Sequence, residues 1–263
     1  MRAMFLALIV LCGLAVALCF AGLTFKKEKL GKAAWFVFLA YFGVHSLFLV
    51  LWGFTVKRLP LSNQFEFASA FAWGVALMLL VLRGRLKADW HNAVILPAVL
   101  LILTYAALQN MSTGDLMPAL RSAWFGIHIG SAVFAYSAFV AAGCIGLRYV
   151  LQVKKGLKEK DRQMQQLDYL SYRLVAFGFL FLTVVILSGA IWAEDAWGSF
   201  WAWDPKEVWA LITWIIYAVY LHLRLRQGRS GLKMAWFLIV AVPVVLFTFA
   251  GVNTLLPGMH SYG

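Results

Sequence analysis

The chain has 263 residues, of which 63% are hydrophobic and 13% charged. Soluble domains carry nearer a quarter of their residues as charges, so the composition excludes an ordinary soluble enzyme and indicates an integral membrane protein in which the helical bundle is the whole protein. A net charge of +12 would suggest nucleic acid in a soluble chain; here the basic residues sit in short loops between apolar runs, where they orient a membrane protein, and no nucleic-acid partner is expected.

The predicted elements are all α-helical. Apolar runs of about 20 residues are the length needed to cross roughly 30 Å of hydrocarbon, and they predict a bundle of about eight transmembrane helices in the lipid bilayer, near 4–24, 34–56, 66–82, 93–109, 124–147, 174–193, 207–223 and 234–254. The first run has only Arg2 as a basic head and is expected to be a retained span, not a cleaved signal peptide. With no repeat and no long linker, a single domain over 1–263 is expected. Cys12, Cys19 and Cys144 lie inside apolar runs with no C-x-x-C pair, which argues against thiol redox chemistry and zinc.

The basic residues predict an orientation. With the N-terminus outside, the inner loops hold eighteen Lys and Arg and the outer side holds five, Arg2, Lys57, Arg58, Arg121 and Lys206. That asymmetry puts both termini, and the connection between the sixth and seventh spans, on the outer face.

That connection is the most informative stretch of the chain. It reads Trp197-Gly198-Ser199-Phe200-Trp201-Ala202-Trp203-Asp204-Pro205-Lys206-Glu207-Val208-Trp209. Tryptophans commonly anchor helices at a membrane surface. Four around a fixed turn exceed that need and suggest a platform for a large, flat aromatic ligand. Asp204 is placed to cap the seventh helix, with Pro205 at its first position and Glu207 in its first turn.

The five histidines sort by depth. His128 lies just inside the fifth span on the outer side, and His260 lies just beyond the eighth, also outside. Two imidazoles flanking an aromatic platform match the needs of a haem iron with two axial ligands. His222 follows Asp204 by eighteen residues on the seventh span, which separates them by about 27 Å. A ligand role for His222 therefore requires a second site near the inner surface. Intramembrane histidines are costly and usually functional, but His222 and the mid-membrane His45 can equally bond neighbouring groups. His91 reads as a solvated loop residue.

The run from Trp197 to Glu207 resembles the tryptophan-rich WWD signature of cytochrome c assembly proteins, and its Asp-Pro-Lys-Glu ending resembles the CcsA/ResC branch, System II. Trp214, Tyr220-Leu221-His222-Leu223-Arg224, Pro60-Leu61-Ser62-Asn63-Gln64-Phe65-Glu66, Gly251-Val252-Asn253 and His260-Ser261-Tyr262 resemble that branch too. The resemblance implies that haem b is carried outward across the plasma (inner) membrane and presented at the WWD surface on the extracytoplasmic side. There it is joined to the Cys-x-x-Cys-His motif of an apocytochrome c through two thioether bonds, a holocytochrome c synthase activity. By the same resemblance His128 and His260 ligate the outer haem, and His222 belongs to an inner site whose other histidine comes from a CcsB/ResB-type membrane partner. A thiol-reducing protein is among the implied partners. The residues expected to carry the reaction are His128, His260 and Asp204. Those expected to touch haem also include Trp192, Trp197, Trp201, Trp203 and Trp209, with Lys206, Arg121, Lys57 and Arg58 as candidates to pair with the propionates. Two other readings are a non-catalytic scaffold or regulator of tetrapyrrole synthesis on the same fold, and a cytochrome b-like subunit retaining haem between His45 and His222.

Overall fold

A computed structural model describes residues 1–84, 90–114, 117–256 and 258, with the side chains of 90 and 91 excepted. Among them the regular structure is entirely helical. Seven helices are long and apolar enough to cross a membrane, and a shorter apolar helix, Asn92–Ala107, fills the place of the fourth expected span. The chain is an all-α, multi-span membrane protein as its hydropathy pattern predicts, gathered into two compact units, 1–115 and 116–263.

The first unit contains α1 (Arg2–Thr24), α2 (Glu28–Val56), α3 (Gln64–Arg83) and α4 (Trp90–Ala107). Several of its buried polar groups are tied by hydrogen bonds, which hydrocarbon rewards. Trp73 Nε1 donates to Ser46 Oγ at 2.8 Å, joining α2 to α3. Asn63 caps α3 by accepting the Glu66 amide at 2.8 Å. Glu66, fully buried, is a hub: it accepts from Trp52 Nε1 at 3.0 Å, from the Ser62 amide at 2.8 Å and from Arg58 at 2.6 Å. The stretch from Pro60 to Glu66 is therefore a helix start whose acid ties the preceding turn to α2.

The second unit contains a short 3-10 turn (Pro118–Arg121), α5 (Ala123–Lys154), α6 (Arg162–Trp197), α7 (Pro205–Arg226), α8 (Leu232–Leu246), a π turn (Phe247–Gly251) and the short α9 (Val252–Leu255). α5 is the central helix and packs on α6 and α8. Small residues permit that approach, since apolar helices gain little from hydrophobicity in lipid and rely on close packing. A β-carbon at Gly146 would stand 2.8 Å from the Ala235 carbonyl of α8. α6 has 36 residues, about 54 Å of helix, and so extends well past the expected 174–193 span at its N-terminal end. That extension carries Asp168, which accepts from Arg224 Nη1 at 2.7 Å and from the Gly231 amide at 3.0 Å, tying α6 to the end of α7 and the start of α8.

Candidate functional site at the tryptophan loop

The loop is shorter than the motif. α6 continues through Trp197 and ends at Gly198, whose left-handed φ of 73° terminates the helix, and α7 begins at Pro205. Asp204 caps α7 as its sequence context predicts. Its side chain accepts the Lys206 amide at 2.9 Å, while Glu207 Oε2 accepts the amides of Asp204 at 3.1 Å and Ala202 at 2.9 Å. This reciprocal capping box satisfies amides that the helix leaves unpaired. Asp204 is buried, and Gly258 packs so closely on its carboxylate that a side chain there would collide with it.

The tryptophans divide into two groups. Trp201 and Trp203 meet edge to face at 5.8 Å, and Trp203 is 70% exposed. Trp203 also has a φ of 57°, an unusual conformation for a bulky residue. Trp209 is half-buried and packs at 4.4 Å on Phe247 of the π turn. Trp192, by contrast, is 1% exposed. Its indole N–H donates to the Ala119 carbonyl at 2.8 Å, and Trp197 meets its ring edge-on at 4.8 Å. Leu120, Phe125 and Trp192 form a core cluster against which Trp197 packs.

His128 joins this second group. Its ring lies over Trp192 at 6.0 Å with an interplanar angle of 21°, and its Nδ1 is 2.8 Å from the Val185 carbonyl of α6. A carbonyl only accepts, so Nδ1 carries the hydrogen and the neutral ring has its lone pair on Nε2. The start of α5 and the C-terminal half of α6 thus meet around one imidazole. Arg121, at the end of the 3-10 turn, is exposed, and Lys206 in the first turn of α7 is half-buried. His260 lies outside the described residues, as do Ser261 and Tyr262.

The remaining histidines sit elsewhere. His222 is exposed on α7, one turn before the helix ends at Arg226 and about 27 Å along it from Asp204. It shares an outward face with Ile215, Val219 and Arg226. His45, in the first unit, is fully buried, with Tyr41 Oη at 2.8 Å from Nδ1 and Ser69 Oγ at 3.1 Å from Nε2. Both its nitrogens are engaged by hydroxyls, so it is a satisfied core histidine. The His91 side chain is outside the described residues. Of the first-unit cations expected on the outer side, Arg58 is committed to Glu66 and Ser62.

Several residues that shape the site carried little signal in the sequence. Gly189 reads as one small residue in an apolar span, yet a β-carbon there would lie 2.6 Å from His128 Nδ1. Thr213 Oγ1 is 2.9 Å from Thr248 Oγ1 and donates to the Trp209 carbonyl at 2.8 Å, joining α7 to the π turn. Asp168 was a bare acid in a basic stretch; only the fold brings it to Arg224, fifty-six positions away.

The sequence profile described as cytochrome C assembly protein matches residues 61–260. A cytochrome c biogenesis protein CcsA of Chlamydomonas reinhardtii is 38% identical over 236 residues, covering 84% of this chain and 67% of the relative. Proteins of the same name from Prochlorococcus marinus and Guillardia theta are 34% and 33% identical, covering 78% of this chain in each case and 75% and 76% of their own lengths. The matched region takes in His128, the whole tryptophan loop and His222. The chain therefore belongs to the cytochrome c assembly protein family and is a multi-span membrane protein of cytochrome c biogenesis.

Proposed function

We propose that the chain, acting as one assembly domain over 1–263, carries haem b outward through the plasma membrane and presents it at the tryptophan loop for covalent attachment to apocytochrome c. The observation that carries this reading is the His128 imidazole, held at Nδ1 by the Val185 carbonyl so that Nε2 is the basic nitrogen. A haem-ligating histidine needs this tautomer, with its other nitrogen bonded to a carbonyl or carboxylate. The setting also fits a porphyrin: Trp203 offers an exposed indole face beside the capped turn at Asp204.

In this reading His128 and His260 are the two axial ligands of the outer haem, and Trp197, Trp201, Trp203 and Trp209 shape the surface that holds the ring. Lys206 and Arg121 pair with the propionates; Arg58 does not, because Glu66 already holds it. Asp204 acts by fixing the loop. The chain's contribution is orientation: each cysteine S–H of the apocytochrome adds across a vinyl group, and the geometry must bring both vinyls to the two thiols. His222 serves an inner site completed by a CcsB/ResB-type protein, consistent with its exposure at the far end of α7. The outer face is extracytoplasmic, and a thiol-reducing protein keeps the acceptor cysteines reduced.

The test is an absorption spectrum of the purified chain together with its partner. Replacing both His128 and His260 by Ala is expected to abolish the outer site's share of the bis-histidine spectrum, leaving that of the inner site, and an unchanged spectrum overturns the outer-site assignment. His222→Ala is expected to lower total haem loading, and full loading would mean that haem enters from the outer side. The cytochrome b-like alternative needed His45 as a ligand, and both nitrogens of His45 are occupied by hydroxyls.

A further inference from the structure

We infer that α6 builds a cradle for the His128 imidazole from Val185, Gly189 and Trp192, and that Gly189 is a positioning residue for haem ligation. The inference rests on His128 being an iron ligand, as proposed above, and concerns what holds it.

The three residues are spaced i, i+4 and i+7, which puts them on one face of the helix. Each does a different job. In an α-helix the side chain at i+4 stands beside the carbonyl at i and shields it; with glycine at 189 the Val185 carbonyl is laterally open. A carbonyl oxygen has two lone pairs, so it can serve its helix and also accept His128 Nδ1 at 2.8 Å. The missing β-carbon also makes room for the ring itself. A β-carbon at Gly189 would lie 2.6 Å from Nδ1 and 2.7 Å from Cε1, well inside van der Waals contact. Trp192 forms the floor, nearly parallel to the imidazole at 6.0 Å and 21°. It is anchored by the hydrogen bond to Ala119 and by Trp197 against its ring. Trp192 is 1% exposed and so acts through His128, supporting the ligand from beneath.

The consequence for the chemistry is a fixed tautomer and a fixed ring plane. The hydrogen bond at Nδ1 keeps the lone pair on Nε2 and raises its basicity toward iron; groups in this supporting position typically change metal affinity by about 10–100-fold when removed. Glycine at 189 is thus required by the ligand opposite it, beyond the general use of small residues in helix packing.

The experiment compares Gly189→Ala, His128→Gly and the double variant, each purified with the partner protein in a His222→Ala background and given haem b in solution, so that the inner site adds nothing to the bis-histidine spectrum. His128→Gly is expected to lose the bis-histidine spectrum and regain it on addition of free imidazole. Gly189→Ala is expected to accumulate in the membrane but to load haem about tenfold less well or worse, with a shifted midpoint potential in what remains. Imidazole is expected to rescue His128→Gly but not the double variant, because the added methyl group fills the cradle. If Gly189→Ala instead matches the parent in loading, spectrum and potential while His128→Gly loses the spectrum, the cradle is wrong and the ligand assignment stands. If His128→Gly keeps the spectrum, the ligand assignment itself fails. Should Gly189→Ala not accumulate, the double variant decides: removal of the imidazole is expected to restore accumulation, and continued absence would mean that residue 189 is constrained by something other than His128.

Discussion

Trp203 shows how a single backbone conformation bears on the loop. Its φ of 57° is costly for a residue with a β-carbon, by about 1–2 kcal/mol, and its side chain is 70% exposed, so burial recovers little of that cost. Strain of this kind persists where a function needs the side chain in that direction. Trp203→Gly is therefore expected to leave thermal stability in detergent unchanged or raised by about 1 kcal/mol, while haem loading falls. A variant that loses stability as well would show that the indole is there to pack. His45 and His128 make the complementary point at the same scale. As letters in a sequence both are membrane histidines; their environments separate them, one with hydroxyls at both nitrogens, the other with Nδ1 bonded to a carbonyl.

α7 carries its organisation along its length. Its N-terminus is held by the Asp204–Glu207 capping box, its middle by Thr213 against Thr248, and its C-terminal turn by Arg224 in a bidentate contact with Asp168. Both members of that ion pair are mostly buried, and removing one partner of such a pair costs about 3–5 kcal/mol. Asp168→Asn is thus expected to destabilise the second unit by about 3 kcal/mol and to expose the 227–230 turn to limited proteolysis; an unchanged cleavage pattern would mean that the pair is dispensable. Elements like α7 were legible in the sequence because hydropathy period and capping chemistry are local. The helix start at Pro205, the apolar spans and the Asp204 cap all follow from a few adjacent residues. What brings elements together is not local. The Asp168–Arg224 pair joins residues far apart in the chain, the meeting of Gly189 with His128 depends on how two helices pack, and the π turn at 247–251 follows Pro243 by several residues with no letter that announces it. Depth in the membrane placed His128 at the level of the tryptophan run, while the cradle that α6 forms around it left no trace in the sequence.

At the scale of the whole molecule, the uneven distribution of charge gives the proposed path a direction. In the second unit, Lys154, Lys155, Lys158, Lys160, Arg162, Arg226, Arg229 and Lys233 are all exposed, and the two connections that carry most of them are joined, with Glu159 Oε1 accepting the Leu232 amide at 2.9 Å. The tryptophan loop terminates α6 and α7 at their opposite ends. On the proposed path, with these basic connections held on the cytoplasmic side as such loops are during insertion, haem moving from the His222 end of α7 to the Asp204 end moves outward. The orientation is checked by single cysteines placed at Ser199, in the tryptophan loop, and at Ser230, in the α7–α8 turn, after Cys12, Cys19 and Cys144 are replaced by Ala. A membrane-impermeant maleimide added to sealed vesicles in the cell's orientation is expected to label the cysteine at 199 at once and that at 230 only after the membrane is opened. The reverse pattern would invert the molecule, leaving the tryptophan surface in the compartment where haem is made. Delivery to an extracytoplasmic acceptor would then require a different route, with the His222 end as the site of release.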